Sequence, residues 1–210
     1  MRALVTGANR GIGAALMTEG AARGHAMVGT SRAGADGLMR LDVTDTCLQT
    51  ACASATGPLD AVICNAGVYL DKNRDLMSLN AATLNATFQA NVTGVFLTVQ
   101  AQLANLSEGG RIAIIASQMG SSARAGGNAF AYRASKAAAL NLGRSLAVAL
   151  APKGIAVGIY HPGWVRTEMG GDNADIDVAT SARGLWDRIE ALTLDDSGAF
   201  LSYDGTALAF

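Results

Sequence analysis

The sequence predicts an α/β fold, with a single doubly wound parallel sheet and helices on both faces. Three observations carry that expectation. Short apolar runs alternate with longer stretches of helical period along the whole chain, the pattern of repeated strand–helix–strand units. The run Arg111-Ile-Ala-Ile-Ile-Ala116 is almost continuously apolar, as a strand covered on both faces is. The chain opens on Ala3-Leu-Val-Thr-Gly-Ala-Asn-Arg-Gly-Ile-Gly13, a buried strand feeding a glycine turn and then a helix. Such a junction aims free N–H groups and partial positive charge at one point, which suits a phosphate. Its spacing, G-x-x-x-G-x-G, fits the general dinucleotide fingerprint only loosely.

The elements follow in order. After the first helix, His25 to Thr30 reads as a second strand ending at Ser31-Arg32, and Ala33 to Gly37 as a turn. Leu38 to Leu41 is a short third strand ending at Asp42-Val43, although its connection lacks the usual crossover helix. Thr44-Asp45 can cap a helix to about Ala55, which Gly57-Pro58 breaks. Leu59 to Cys64 is a fourth strand, followed by Asn65-Ala-Gly67. A long helical pattern runs from Leu79 to Leu106, includes Asn91, and is stopped by Gly109-Gly110. The strand Arg111–Ala116 leads to Ser117, and Ser121–Asn128 is loop by composition. A helix from Phe130 to about Ala151 is closed by Pro152 and Gly154. Ile155–Tyr160 is a sixth strand, Val178–Leu192 an amphipathic helix and Ala199–Tyr203 a last strand. With no repeat or linker in its 210 residues, residues 1–210 are expected to form a single domain.

Composition narrows the function. Half of the residues are hydrophobic, 16% are charged and the net charge is −1, with no basic stripe, so neither nucleic acid nor a membrane surface is the expected partner. Cys47, Cys52 and Cys64 lack metal-binding spacing, only His25 and His161 could assist them, and no metal is expected. With reduced thiols, no signal-peptide core and no membrane-length apolar run, a cytoplasmic location is expected. His161 reads as a structural strand-end residue and His25 as a surface one.

In an open parallel sheet, ligands bind outside the carboxyl ends of the strands. Gly7, Ser31, Asp42, Asn65, Ser117 and Pro162 all fall there. Tyr132-Arg-Ala-Ser-Lys136 sets a phenol and an ammonium four residues apart on one helical face. A fixed positive charge favours the phenolate, and a tyrosine so tuned becomes a general acid or base. Taken alone, such pairs are commonly solvated.

The motifs occur together and in order: Thr6-Gly-Ala-Asn-Arg-Gly-Ile-Gly13, Asp42-Val43, Asn65-Ala-Gly67, Asn91, Ser117, Tyr132-x-x-x-Lys136 and Pro162-Gly163-Trp-Val-Arg-Thr167. The chain resembles the short-chain dehydrogenase/reductase family over essentially its whole length, and its ending resembles the small C-factor/sniffer-like branch. Cys64 stands where an Asn is common, Ala116 replaces the first residue of a Ser-Ser pair, and the loop from Ser117 to Tyr132 is slightly long.

The resemblance implies a Rossmann-like fold and an NADP(H)-dependent oxidoreductase acting on a carbonyl or alcohol. It makes Tyr132 the acid/base, with Lys136 on the nicotinamide ribose, Ser117 on the substrate oxygen and Asn91 holding a relay water. Gly7, Asn9, Arg10, Gly11, Ile12 and Gly13 would wrap the pyrophosphate and adenosine end. Asp42 and Val43 would meet the adenine, and Asn65, Ala66 and Gly67 would line the cleft. Pro162, Gly163, Val165 and Thr167 would hold the nicotinamide.

Three further expectations follow. No acid occupies Thr30, Ser31 or Arg32, where an NAD enzyme usually carries one, so Ser31, Arg32 and Arg10 are expected to favour the 2′-phosphate of NADP(H). The helix from Ser135 to Ala151 is apolar or small nearly all round, which, with the resemblance, points to a homodimer or higher homo-oligomer. The segment Glu168–Asp177 is short, and Gly170-Gly171 suggests a flexible, open mouth. A regulatory nucleotide-binding protein with little turnover, and a different doubly wound enzyme such as a methyltransferase, are the alternative readings.

Overall fold

The computed structural model describes residues 1–210 and contains seven parallel strands in one sheet, ordered β3-β2-β1-β4-β5-β6-β7. These are β1 (Arg2–Val5), β2 (Ala26–Ser31), β3 (Met39–Arg40), β4 (Leu59–Cys64), β5 (Leu106–Ile115), β6 (Ala156–His161) and β7 (Phe200–Ser202). The helices are α1 (Gly11–Ala22), α2 (Thr46–Thr56), α3 (Ala81–Phe88), α4 (Gly94–Gln102), α5 (Phe130–Leu150) and α6 (Val178–Ala191). Strand order reverses between β1 and β4, where the crevice of such sheets opens.

Successive strand residues face opposite sides, and the core divides accordingly. Leu4, Val62, Ile112, Ile114 and Val157 pack against Cys52 of α2, Val95 and Val99 of α4, and Ala147 and Leu150 of α5. Ala3, Val5, Ile63 and Ala113 pack against Leu16 of α1 and Leu185, Trp186 and Ile189 of α6. Gly20 lets α1 and α6 approach: a Cβ there would lie 2.7 Å from the Trp186 ring.

Several boundaries differ from expectation. The third strand shrinks to Met39–Arg40 because its short approach, with Gly34, Asp36 and Gly37 at positive φ, leaves little extended chain. The long helical pattern expected over Leu79–Leu106 resolves into α3, a π-helical turn at Gln89–Thr93, α4 and a 3-10 turn at Leu103–Asn105. Gly109-Gly110 does not end that helix. The chain has already become β5 at Leu106, which pairs with Leu59. His25 is half-buried rather than free on the surface: its Nε2 lies 2.8 Å from Glu190 and its ring packs on Trp186 at 4.7 Å. On α5, Leu142 and Leu146 turn into the core and Asn141, Arg144 and Ser145 face outward, so the exposed apolar surface is narrower than the sequence suggested. Val148, 79% exposed, is its main remnant, and Phe96 of α4 is likewise exposed.

Side-chain caps close α2 (Asp45), α3 (Asn80) and α6 (Asp177). Neither Arg10 before α1 nor Ala129 before α5 caps its own helix. These two helices carry the candidate site. At the far edge, the C-terminal segment folds back on β7, with Ser202 N–H bonded to Thr206 O and Leu208 N–H to Phe200 O.

Candidate active site

The glycine turn is held by the strands beside it. Gly7 and Gly11 have φ of 67° and 54°, open to glycine without strain. A Cβ on Gly13 would run into the Gly7 carbonyl oxygen. The Asn65 amide donates to Thr6 O and Gly7 O at 3.0 and 3.2 Å, and Thr6 Oγ1 accepts from the N–H groups of Asn65 and Ala66. Asn65 is thus a staple for the turn, with Ala66 packed against Gly7.

The start of α1 has no side-chain cap and no acid in its first turn, so its N–H groups are left for a ligand. Gly67 lets the chain run close beside Asn91 and Lys136: a Cβ there would lie 3.1 Å from Asn91 Oδ1 and 3.7 Å from Lys136 Nζ. Both observations fit a dinucleotide laid from the glycine turn toward Lys136.

Ser31 is buried at the end of β2, and its Oγ accepts from Gly34 N–H at 3.0 Å, leaving its hydrogen free to donate. Arg32 is exposed and close enough to Asp42 to help hold that carboxyl below its usual range, after the two Thr44 hydrogen bonds. Val43 packs on Gly94 of α4. Asn9 and Ile12 lie in and just after the glycine turn, exposed and half-buried respectively. Arg10 pairs with Glu168 from the loop after β6 rather than standing free.

That loop is folded, not slack. Trp164 Nε1 donates to Gly170 O at 2.9 Å, Gly170 N–H to Thr167 Oγ1 at 3.0 Å and Lys72 Nζ to Met169 O at 3.0 Å. Val165 pairs with Ile176 across its neck, and Thr167 lies over Gly11, 3.4 Å from where a Cβ would be. Pro162 anchors the start, its carbonyl accepting from Ser181 Oγ, and Gly163 turns with φ 89°. The flexible mouth expected from Gly170-Gly171 is therefore a short, pinned wall.

The chemistry-bearing residues converge at the ends of β4 and β5 and the start of α5. Tyr132 is buried, and the Ser117 hydroxyl, which accepts from Met119 N–H at 3.2 Å, is near enough to favour its phenolate. Burial pushes the phenol up to about 12 despite Ser117. Lys136 Nζ lies 5.8 Å from the Tyr132 ring centroid and donates to Ile115 O at 2.8 Å. Burial pushes this ammonium down to about 8. The lysine does not pull the phenol below its ordinary value here, contrary to the simple charge expectation, because desolvation opposes charge on both groups.

Asn91 sits in the π-helical turn, a wide turn frequent at functional sites. Its Oδ1 accepts from Val68 N–H at 2.8 Å, and its Nδ2 donates to Val68 O and Ser135 Oγ, each at 2.9 Å. Both amide hydrogens are spent, so this side chain could hold a relay water only through its oxygen. Ser135 in turn donates to Tyr132 O at 2.8 Å.

Sequence reasoning missed three residues. Tyr69 stacks on Tyr132 with centroids 4.4 Å apart. Asp71 accepts from Ala131 N–H at 2.7 Å and Tyr132 N–H at 3.3 Å. Arg133 ties down the long Ser121–Asn128 loop through Arg124 O and Asn128 O. His161 ends β6 as expected, and burial, with Arg124 nearby, holds its imidazole neutral, down to about 4.

Comparison with known proteins decides the family. The sequence model of the short chain dehydrogenase family matches residues 1–176. The chain belongs to the short-chain dehydrogenase family. C-signal of Myxococcus xanthus is 38% identical over 171 residues, 80% of this chain and 98% of the relative. The NADPH-bound carbonyl reductase from chicken fatty liver superposes with a TM-score of 0.91 at 28% identity, covering 100% of this chain and 98% of the other. Carbonyl reductase Sniffer of D. melanogaster gives 0.92 at 26% identity, covering 100% and 99%. No helix of this chain is long and apolar enough to cross a membrane.

Proposed function

We propose that this protein moves a hydride between a nicotinamide cofactor, NADP(H) in preference to NAD(H), and the reacting carbon of a small-molecule carbonyl or alcohol. The observation that carries the reading is the convergence of Ser117, Tyr132 and Lys136, with Gly67 close beside Lys136. A bound nicotinamide supplies or takes up the hydride. In the reductive direction the Tyr132 hydroxyl gives its proton to the substrate oxygen while Ser117 hydrogen-bonds that same oxygen. The Lys136 ammonium, held by Ile115 O, stabilises the phenolate left behind. The free N–H groups of α1 and the loop after β6 hold the cofactor. NADPH consumption over a panel of carbonyl compounds tests the reading, and no turnover of any of them, with NADPH bound, would overturn it.

That outcome would favour the second reading, a nucleotide-binding regulatory protein, which likeness to a protein named C-signal supports. The retained Ser117, Tyr132 and Lys136 favour the enzyme.

The same panel reports substrate size. Tyr69, Leu70, Trp164 and Met169 present partly exposed apolar surface around the loops at the site, and the wall from Val165 to Ile176 is short. Bulky apolar and aromatic carbonyls are expected to match or exceed small aldehydes in kcat/KM, and reaction of only the smallest aldehydes would refute this. Assembly as a homodimer or higher homo-oligomer rests on the exposed Val148 and Phe96 on α5 and α4. Light scattering at micromolar concentration is expected to give at least twice the chain mass, and a monomeric mass would rule this out.

A further inference from the structure

We propose that Asp71 is a positioning residue for Tyr132, capping the catalytic helix from a loop 60 residues upstream and so fixing where the phenol stands. The inference rests on the reading of Tyr132 as the acid/base. Helix α5 cannot cap itself, because Ala129 precedes it in left-handed backbone (φ 52°) and has no side-chain acceptor. The first-turn N–H groups of Ala131 and Tyr132 belong to buried residues, where an unmet donor is costly. Asp71 meets both, Oδ2 accepting at 2.7 Å and Oδ1 at 3.3 Å. Asp71 is 1% exposed and forms no salt bridge, so the two N–H groups at the start of α5 are the partners its side chain has.

The loop fixes the ring as well as the backbone. Tyr69, two residues before Asp71, lies against the Tyr132 ring at an interplanar angle of 23°. One residue earlier, Val68 is gripped on both backbone groups by Asn91, and Asn65 grips the glycine turn. Residues 65–71 thus run as one strap from the cofactor turn to the phenol, with Asp71 as its terminal fastening. Proton transfer depends steeply on placement, and a misplacement of about 1 Å costs ~100-fold in rate. An ordinary stabilising cap would change the melting temperature without singling out Tyr132.

The test uses the full chain with NADPH and tyrosines labelled at 13Cζ, with Tyr132→Phe assigning the Tyr132 resonance. Asp71→Ala is expected to shift or broaden that resonance while those of Tyr160 and Tyr203 stay in place. On the best carbonyl of the panel, Asp71→Ala is expected to lower kcat about thirtyfold or more, with NADPH Kd and substrate KM each within about threefold. Asp71→Asn keeps one acceptor oxygen and is expected to fall between, about three- to tenfold down in kcat. An unmoved Tyr132 resonance, equal movement of all the tyrosines, or kcat within about twofold of wild type overturns the inference. If Asp71→Ala does not fold, Asp71→Asn decides by the same criteria. Full turnover by Tyr132→Phe would instead sink the acid/base reading, and the resonance of Tyr132 would still report whether Asp71 places it.

Discussion

Tyr132→Phe is expected to lower kcat by about two orders of magnitude or more, the range for loss of a general acid or base. The substitution deletes one oxygen. The ring still stacks on Tyr69, the backbone N–H still meets Asp71, and Lys136 keeps its bond to Ile115 O. Fold and NADPH affinity should therefore hold while the proton at the substrate oxygen loses its donor. Burial pushes the phenol up to about 12, so at neutral pH it stands protonated and ready to donate in the reductive direction. Steady-state kcat, NADPH Kd and thermal melting separate these effects. Turnover near wild type would sink the mechanism, and a lost fold would show that the hydroxyl serves packing instead.

The second large effect concerns the cofactor. Wild-type kcat/KM is expected to favour NADPH over NADH by roughly tenfold to a hundredfold, since a charged hydrogen bond contributes about 1.5–3 kcal/mol. Ser31 can donate to a 2′-phosphate, whereas a carboxylate there would repel it. Ser31→Asp should therefore reverse the preference, and Arg32→Ala should erode it. The pairing of Arg10 with Glu168 adds a competitor, because that guanidinium must leave a carboxylate to reach a phosphate. Both partners are largely exposed, so the pair is weak and the switch inexpensive. Glu168→Gln should accordingly tighten NADPH more than NADH. Equal use of both cofactors by the wild type, or no shift in the variants, would show the assignment to be wrong.

Much of this was legible in the sequence, for physical reasons. The strand β4 stands out because Gly57-Pro58 breaks the chain before Leu59 and Asn65 follows Cys64, so periodicity and punctuation agree. The nearness of Tyr132 and Lys136 was legible in their spacing on one helix face, while Ser117 joined them through the set of motifs and the family it resembles. The π-helical turn at Gln89–Thr93 was not, since one extra residue in a helix barely disturbs its apolar period. The early start of β5 was hidden by Gly109-Gly110, a pair that reads as a break and is here part of a strand. Asp71 and His25 found partners 60 and 165 residues away, and no local pattern announces such contacts.

The ends of the sheet bear on how the molecule behaves in a crowd of its own copies. A broad sheet of apolar parallel strands invites edge-to-edge growth, because an edge offers unpaired N–H and C=O groups as a template. Here one margin is only Met39–Arg40 and the other only Phe200–Ser202. The second is already occupied by the chain's own tail, through Leu201 opposite Ala207 and the bonds to Thr206 and Leu208. Strand addition has almost no free backbone to start from, which leaves the helical flanks as the surfaces through which copies can meet without running on into fibres.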